Sequence, residues 1–375
     1  MKLILISPFP PLRGGISKET ETIYNFFKKN HQLKVLNFKK LYPKILFPGK
    51  SQYLNENKYV DNKDIVSLLD PINPLSWIKA SNYIVKSNIN AIMIRYWHPF
   101  FIPMYLFIIN KVKSKNPNIK VNFICDNVVS HENFPFGKFL AKIFFSKADK
   151  CFLMSDNTIK QIQKYIPSNK TKKIFLPIKN NFGPLLNKEE SQNNLNIESD
   201  FLVLFFGLVR DYKGIDILLR AFRKVDTLNK NVKLLIVGES YENKNKYLNL
   251  IKKFKLEEHV VWINEYVPDN KVNLYFSACD LVVLPYKKAS QSGIIPIAYN
   301  YNKIILASDT DGLKEFIYEG KNGYLFESLN HASLFDKLKF ILSNHDYSKS
   351  DMFINEFKKQ FSIEKLEEDI ISTLD

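Results

Sequence analysis

Phe201-Leu-Val-Leu-Phe-Phe-Gly207-Leu-Val-Arg210-Asp-Tyr-Lys213-Gly214, followed by Ile215-Asp-Ile-Leu-Leu-Arg-Ala-Phe222, decides the fold of this 375-residue chain. Six apolar residues running into a glycine read as a strand buried on both faces, the mark of a parallel sheet. Ile215, Leu218, Leu219 and Phe222 then recur at helical spacing, so a helix follows at once, with Asp211 or Gly214 at the turn into it. Arg210 and Lys213 lie between strand and helix, at the carboxyl end of the strand, where open α/β sheets bind ligands. Free N–H groups at a helix start and two fixed cations suit a phosphate or diphosphate. The plainer alternative is a solvated loop with two surface cations.

The same alternation extends in both directions. Towards the N-terminus, strands are expected at Lys2–Ile6, Leu33–Phe38, Ala91–Tyr96, Val121–Cys125, Lys150–Met154 and Lys173–Leu176. Helices fit between them at Ser17–Asn30, Pro74–Ser87, Pro103–Lys115, Gly137–Ser146 and Asp156–Tyr165. Towards the C-terminus, strands are expected at Lys233–Val237, Val260–Ile263, Leu281–Leu284 and Ile304–Ser308, then helices at Ser333–Leu342 and Phe361–Leu374. Strands alternating with helices imply mostly parallel, doubly wound sheets. The polar run 179–200 interrupts the pattern and reads as a linker. The expected domains are 1–178 and 201–345, with 346–375 a helical segment packing back towards the first.

Length and composition fit this division, since 375 residues with 45% hydrophobic content are too many for one ordinary core. The short apolar run after Met1 ends at Pro8 and reads as a first strand rather than a secretion signal. The longest apolar run, 99–109, is about half of what a bilayer span needs, so no transmembrane helix is expected. Cys125, Cys151 and Cys279 are scattered and odd in number, which suggests buried thiols in a reducing, cytoplasmic compartment. Charge is unevenly placed: residues 1–190 hold 30 Lys+Arg against 12 Asp+Glu, a balance of +18, and 191–375 hold 24 against 26, a balance of −2. A basic half suggests an anionic partner. The alternation of lysines with apolar side chains over Lys138–Lys147 suits either a core helix or contact with an anionic membrane. Nucleic acid is disfavoured, because the cations are diffuse and no recognised nucleic-acid motif occurs.

Five stretches in order carry a resemblance. Gly207-x-x-Arg-x-Tyr-Lys-Gly214, Leu234-Leu-Ile-Val-Gly-Glu239, Ala278-Cys-Asp-Leu-Val-Val-Leu-Pro-Tyr286, Ala307-Ser-Asp-Thr-Asp-Gly-Leu-Lys-Glu315 and Glu319-Gly-Lys-Asn-Gly-Tyr-Leu-Phe326 are similar to the C-terminal half of family 4 retaining glycosyltransferases. Pro10-Pro-Leu-Arg-Gly14-Gly15 resembles the glycine loop after the first strand of that family. The resemblance implies the GT-B architecture: two Rossmann-like doubly wound domains facing across a cleft, the second holding a UDP- or GDP-sugar and the first the acceptor. It places Lys213 where the family binds the donor diphosphate, with Arg210 two residues beyond the usual arginine position, now Leu208. It also makes Gly207 and Glu239 donor-site candidates. No cofactor or metal is implied beyond the donor itself.

One segment departs from the family. Lys287-Lys-Ala-Ser-Gln-Ser-Gly-Ile-Ile-Pro-Ile-Ala-Tyr-Asn300 lacks the two glutamates that usually contact the donor; Ser290 and Ala298 stand in their places, and no carboxylate occurs from Lys287 to Ser308. Ser290, Gln291, Ser292 and the backbone at Gly293 are the candidate replacements at a helix start. In the first half, Arg95-Tyr-Trp-His-Pro99 and Cys125-Asp-Asn-Val-Val-Ser-His-Glu132 each follow a strand. Asp126 matches an acidic family position, and His98 and His131 are candidates to face the leaving group or acceptor hydroxyl. Gly14 and Gly15 admit close approach of phosphate or sugar. The expected activity is sugar transfer to a glycan or lipid-linked acceptor in surface polysaccharide or glycolipid synthesis. The alternatives are a UDP-sugar 2-epimerase of the same fold and a non-catalytic binder of nucleotide-sugars or anionic surfaces.

Overall fold

The computed structural model describes residues 1–43, 51–54, 62–128, 137–178 and 182–374. It forms two compact units, Met1–Phe175 with Ile363–Asp375, and Leu176–Ser362. Each is built on one parallel sheet, because each apolar strand is followed by a segment that crosses back over the sheet before the next strand.

In the first unit the strands are β1 (Lys2–Ile6), β2 (Gln32–Phe38), β3 (Ile65–Leu69), β4 (Ala91–Tyr96), β5 (Lys120–Cys125), β6 (Lys150–Leu153) and β7 (Thr171–Lys173). Their order is β3-β2-β1-β4-β5-β6-β7. In the second they are β8 (Phe201–Phe206), β9 (Val232–Val237), β10 (Val260–Ile263), β11 (Leu281–Leu284), β12 (Ile304–Ser308) and β13 (Gly323–Phe326), ordered β10-β9-β8-β11-β12-β13. Strand order reverses between β1 and β4 and again between β8 and β11, and such reversals open the crevices where doubly wound sheets take ligands. β4 and β8 are buried along their whole length, as central strands covered on both faces must be.

The edge strands β3, β7 and β13 differ from expectation. β3 and β13 were not anticipated, and β7 uses the polar Thr171-Lys-Lys rather than the apolar residues after it. An edge strand needs only its backbone to pair and tolerates charge. The stretch 179–200 contains a helix, Lys188–Asn194, fastened to the second unit by polar contacts: Lys188 to Asp280 at 2.6 Å and Gln192 Nε2 to the Ala278 carbonyl at 3.0 Å. Residues after 345 divide. The helix Tyr347–Gln360 buries Ile354 and Phe357 in the second core, with Phe357 edge-on to Tyr299. The last helix, Ile363–Leu374, lies beside the first helix and β6, where Glu367 receives a hydrogen bond from Asn30 and lies 3.3 Å from His31. All three cysteines are free and buried. Among the described residues no helix is long and apolar enough to cross a membrane.

Candidate functional site

The second unit gathers its candidates at the β8/β11 reversal. After β8 the chain makes a short 3-10 turn, Asp211–Lys213, and enters the helix Ile215–Phe222 through Gly214. Gly214 is left-handed (φ 69°), and a β-carbon there would stand 1.8 Å from the Pro285 carbonyl oxygen, so only glycine lets this loop close on the end of β11. The Lys287 N–H donates to the Tyr212 carbonyl at 2.7 Å and ties the two loops again.

Lys213 is half-buried, and its ammonium points back over the end of β8, 3.0 Å from where a methyl group on Gly207 would sit. Ile294, from the helix after β11, lies 3.6 Å from the same point. Burial, with the neighbouring Arg210 charge added, lowers the Lys213 pKa to about 8. Its nitrogen lies 5.5 Å from the centre of the Tyr286 ring, and the Arg210 guanidinium lies 5.3 Å from that of Tyr241. Among the described residues neither cation has a carboxylate within ion-pair distance. Asp211, between them in sequence, is held instead by Lys246 (2.5 Å) and Lys287 (3.1 Å), whose hydrogen bonds keep its pKa low. Two neighbouring cations thus stand without a carboxylate counter-charge among the described residues.

The Ser290–Gly293 turn follows β11. Ser292 is buried; its hydroxyl accepts from the Ile294 N–H at 3.3 Å and lies 3.3 Å from the Tyr286 hydroxyl. Gln291 buries its side-chain oxygen without a hydrogen-bond partner, Ser290 is half-buried and Gly293 is exposed. The helix behind them, Ile294–Asn300, is only seven residues long, so side chains rather than a long helix dipole set the polarity here. Ala298, at the second missing glutamate position, is fully buried. Glu239, beyond β9, is buried, and its carbonyl accepts from the Val209 N–H at 2.9 Å, which keeps it beside the 207–210 loop.

In the first unit Arg95, at the end of β4, is buried between two carboxylates. It donates to Asp126 through Nε (2.7 Å) and Nη2 (2.5 Å), and through Nη2 to Glu19 of the first helix at 2.8 Å. Burial opposes its charge, but the two carboxylates outweigh that and hold it above its ordinary pKa; burial in turn pushes Asp126 up against the pull of Arg95. Asp126 therefore belongs to a buried ion cluster. Gly14 and Gly15 begin the helix that carries Glu19, and a methyl group on either would meet nothing within 4 Å. His98 is half-buried, and its Nδ1 accepts from the Phe100 N–H at 3.1 Å, capping the turn 99–101. His131 lies outside the described residues. Sequence reasoning missed Arg95 and Glu19 as partners and Tyr286 and Tyr241 as neighbours of the cations. A charge inside the apolar strand Ala91–Tyr96 was the available signal for Arg95; nothing local marks the tyrosines.

Residues 187–360 match the family model described as glycosyl transferases group 1. The match falls within the second unit and covers a little under half of the chain. Among curated proteins, the chain is 30% identical over 184 residues to a lipopolysaccharide 1,2-N-acetylglucosaminetransferase of Salmonella typhimurium, covering 45% of this chain and 48% of that one. It is 30% identical over 124 residues to a GDP-mannose:glycolipid 4-beta-D-mannosyltransferase of Xanthomonas campestris, covering 33% and 35%. The matches thus span about half or less of those relatives. Anabaena HepE, solved in complex with UDP, superposes with a TM-score of 0.78 at 16% identity, covering 100% of this chain and 99% of that one. That likeness shows the GT-B fold, as expected, with the stretch matched by the family model lying in its second unit.

Proposed function

We propose that the protein is a retaining glycosyltransferase of family 4 that moves a hexose-type sugar from a UDP- or GDP-sugar to a glycan or lipid-linked acceptor in surface polysaccharide or glycolipid synthesis. The observation that carries this is the pair Lys213 and Arg210 in the loop after β8, close enough for the charge of Arg210 to lower the Lys213 pKa and with no carboxylate counter-charge among the described residues. Breaking a sugar–phosphate bond leaves a diphosphate that gains charge in the transition state, and preorganised cations stabilise it by about 3–4 kcal/mol each, by analogy with oxyanion donors. The acceptor oxygen bonds to the anomeric carbon on the face the nucleotide leaves, the carbon–phosphate oxygen bond breaks, and the acceptor proton passes to the departing phosphate oxygen. No protein base and no cofactor are then needed. Ser290, Gln291, Ser292 and Gly293 hold the sugar, Gly207 and Glu239 flank the nucleotide, Gly14 and Gly15 let phosphate or sugar approach the backbone, and His98 or His131 faces the leaving group or acceptor hydroxyl, with Asp126 supporting that strand end through its pair with Arg95.

The names of the curated relatives, which include lipopolysaccharide and glycolipid transferases, support this substrate class, and HepE in complex with UDP supports a nucleotide donor. The test is incubation with UDP-glucose, UDP-N-acetylglucosamine and GDP-mannose, followed by nucleotide release and the anomeric configuration of the product. Release with retention supports the proposal. Release with inversion removes the retaining mechanism, isomerised donor indicates an epimerase, and binding without release indicates a binder.

The reading also places the protein in the cytoplasm, with the first unit in contact with anionic lipid. The helix Gly137–Phe145 turns Phe144 and Phe145 into its own core, which leaves Lys138, Phe139 and Lys142 outward. Co-sedimentation with anionic vesicles that is lost at high salt supports the contact; equal binding to neutral vesicles ends it.

A further inference from the structure

Both cations of the site rest on aromatic faces rather than on carboxylates, and one of those rings also reaches the neighbouring turn. We propose that Tyr286 is a positioning residue that couples the diphosphate subsite to the sugar subsite: its ring seats the Lys213 ammonium while its hydroxyl fixes Ser292. This rests on the reading of the site as one for nucleotide-sugars.

Tyr286 is buried at 3% exposure. Its carbonyl accepts from the hydroxyl of Ser308, at the end of β12, at 2.6 Å, and Tyr212 meets its ring edge-on at 6.1 Å. The ring is therefore a fixed surface. Lys213 Nζ lies 5.5 Å from its centre, and the hydroxyl lies 3.3 Å from Ser292, whose oxygen also receives the Ile294 N–H. A carboxylate at this position would hold the ammonium but also neutralise it and occupy its donors. A ring face attracts the cation weakly and leaves its three N–H groups to the ligand. Arg210 over Tyr241 repeats the device for the second cation. In the turn where the family usually carries a donor-contacting glutamate, the Tyr286–Ser292 contact holds Ser292 in place.

The test titrates UDP, UDP-glucose, GDP and GDP-mannose into wild type, Tyr286→Phe, Tyr286→Leu, Ser292→Ala and the double variant Tyr286→Phe/Ser292→Ala, with the Tyr286→Leu change repeated in a Lys213→Met background. The better nucleotide pair is followed. Tyr286→Phe keeps the ring, so nucleoside diphosphate affinity should stay within about twofold, while the extra affinity for the nucleotide-sugar drops about 2- to 10-fold, the range for one hydrogen bond. Ser292→Ala removes the same contact along with the Ile294 N–H bond and the sugar contact proposed for Ser292, so it should cost at least as much, and the double variant no more than Ser292→Ala alone. Tyr286→Leu should weaken nucleoside diphosphate binding about 2- to 30-fold, the range for a cation–π contact, and cost nothing further when Lys213 is already methionine.

Equal nucleoside diphosphate losses in the Phe and Leu variants, or an undiminished Leu effect without Lys213, overturn the role of the ring. Additive Phe and Ala effects overturn the role of the hydroxyl and decide the matter even if Tyr286→Leu does not fold. A wild type that binds none of the four probes removes the nucleotide-sugar reading and the inference with it. A wild type that binds them but shows neither pattern removes the inference alone.

Discussion

Lys213→Met separates what this lysine does for the ligand from what it does for the fold. An ammonium about 3.5 Å from a phosphate oxygen gains about 5 kcal/mol at an effective dielectric near 20. Desolvation of both groups reduces this towards the 2.7–4 kcal/mol typical of one oxyanion donor, or roughly 10²–10³ in kcat/KM. Without ligand the sign reverses. Burial and Arg210 pull the Lys213 pKa from 10.5 to about 8, so the folded state disfavours the charge. At about 1.4 kcal/mol per pKa unit the cost is at most about 3 kcal/mol, and solvent screening of a half-buried group leaves about 1. Because the folded pKa is depressed, stability present above pH 10.5 is lost as pH falls through about 8, and at pH 7 the lysine is a net burden on the apo-protein. Lys213→Met should therefore melt at the same temperature as wild type or higher while losing its shift on addition of UDP or GDP. A bound diphosphate returns the pKa upward, so wild-type affinity should fall from pH 7 to 9 and the variant's should not. The assay is thermal melting with and without nucleotide across that range, alongside transfer rates. A folded variant with wild-type nucleotide shift and rate refutes the diphosphate role. A variant destabilised by more than about 2 kcal/mol shows that the lysine supports the fold instead.

Three other changes probe the supports of the two units. A methyl group on Gly312 would lie 2.4–2.6 Å from the backbone of Ala289 and Ser290; Gly312→Ala should cost about 1–3 kcal/mol in denaturant unfolding and reduce nucleotide-sugar turnover more than nucleoside diphosphate affinity, whereas an unchanged turnover would mean the 290 turn does not matter. Arg95→Met strands Asp126 and Glu19 as buried carboxylates, so the first unit should lose about 3–5 kcal/mol at pH 8 and recover part of it at pH 5 as Asp126, already pushed up by burial, takes up a proton; a loss independent of pH would show that packing, not charge, is at stake. His345 is held neutral by burial, with Nδ1 2.9 Å from the Tyr324 hydroxyl and Nε2 3.2 Å from the Ser350 hydroxyl; its depressed pKa means that stability is lost as pH falls below 6.5, and His345→Gln should flatten that limb of the stability curve.

Sequence alone placed the strands at Lys2–Ile6, Ala91–Tyr96, Phe201–Phe206, Val260–Ile263, Leu281–Leu284 and Ile304–Ser308 at the residues where the structure has them. Each is a short apolar run ended by a change of composition; five of them are central strands, apolar on both faces, and Val260–Ile263, though an edge strand, is itself an apolar run, so local sequence is sufficient. The edge strands β3 and β7 and the polar helix Lys188–Asn194 escaped because their stability comes from partners: a neighbouring strand, Asp280 and the Ala278 carbonyl. No local periodicity records such contacts.

The order of motifs from Gly207 to Phe326 determined the doubly wound second unit and put Lys213 and Arg210 at the end of its first strand, since a strand, a glycine and a helix in succession leave the intervening cations little choice of place. Only the tertiary structure decided what those cations meet. Tyr286 and Tyr241 lie 73 and 31 residues from Lys213 and Arg210 in the chain, yet they come beneath them because β11 and β9 both flank β8 in the sheet. The same holds for Arg95, whose partners Glu19 and Asp126 arrive from the helix after β1 and from the end of β5. Charge and hydrophobicity are properties of a residue and can be read along the chain, whereas the pairing of a buried charge with a ring or a carboxylate depends on strand order, which arises only when the sheet closes.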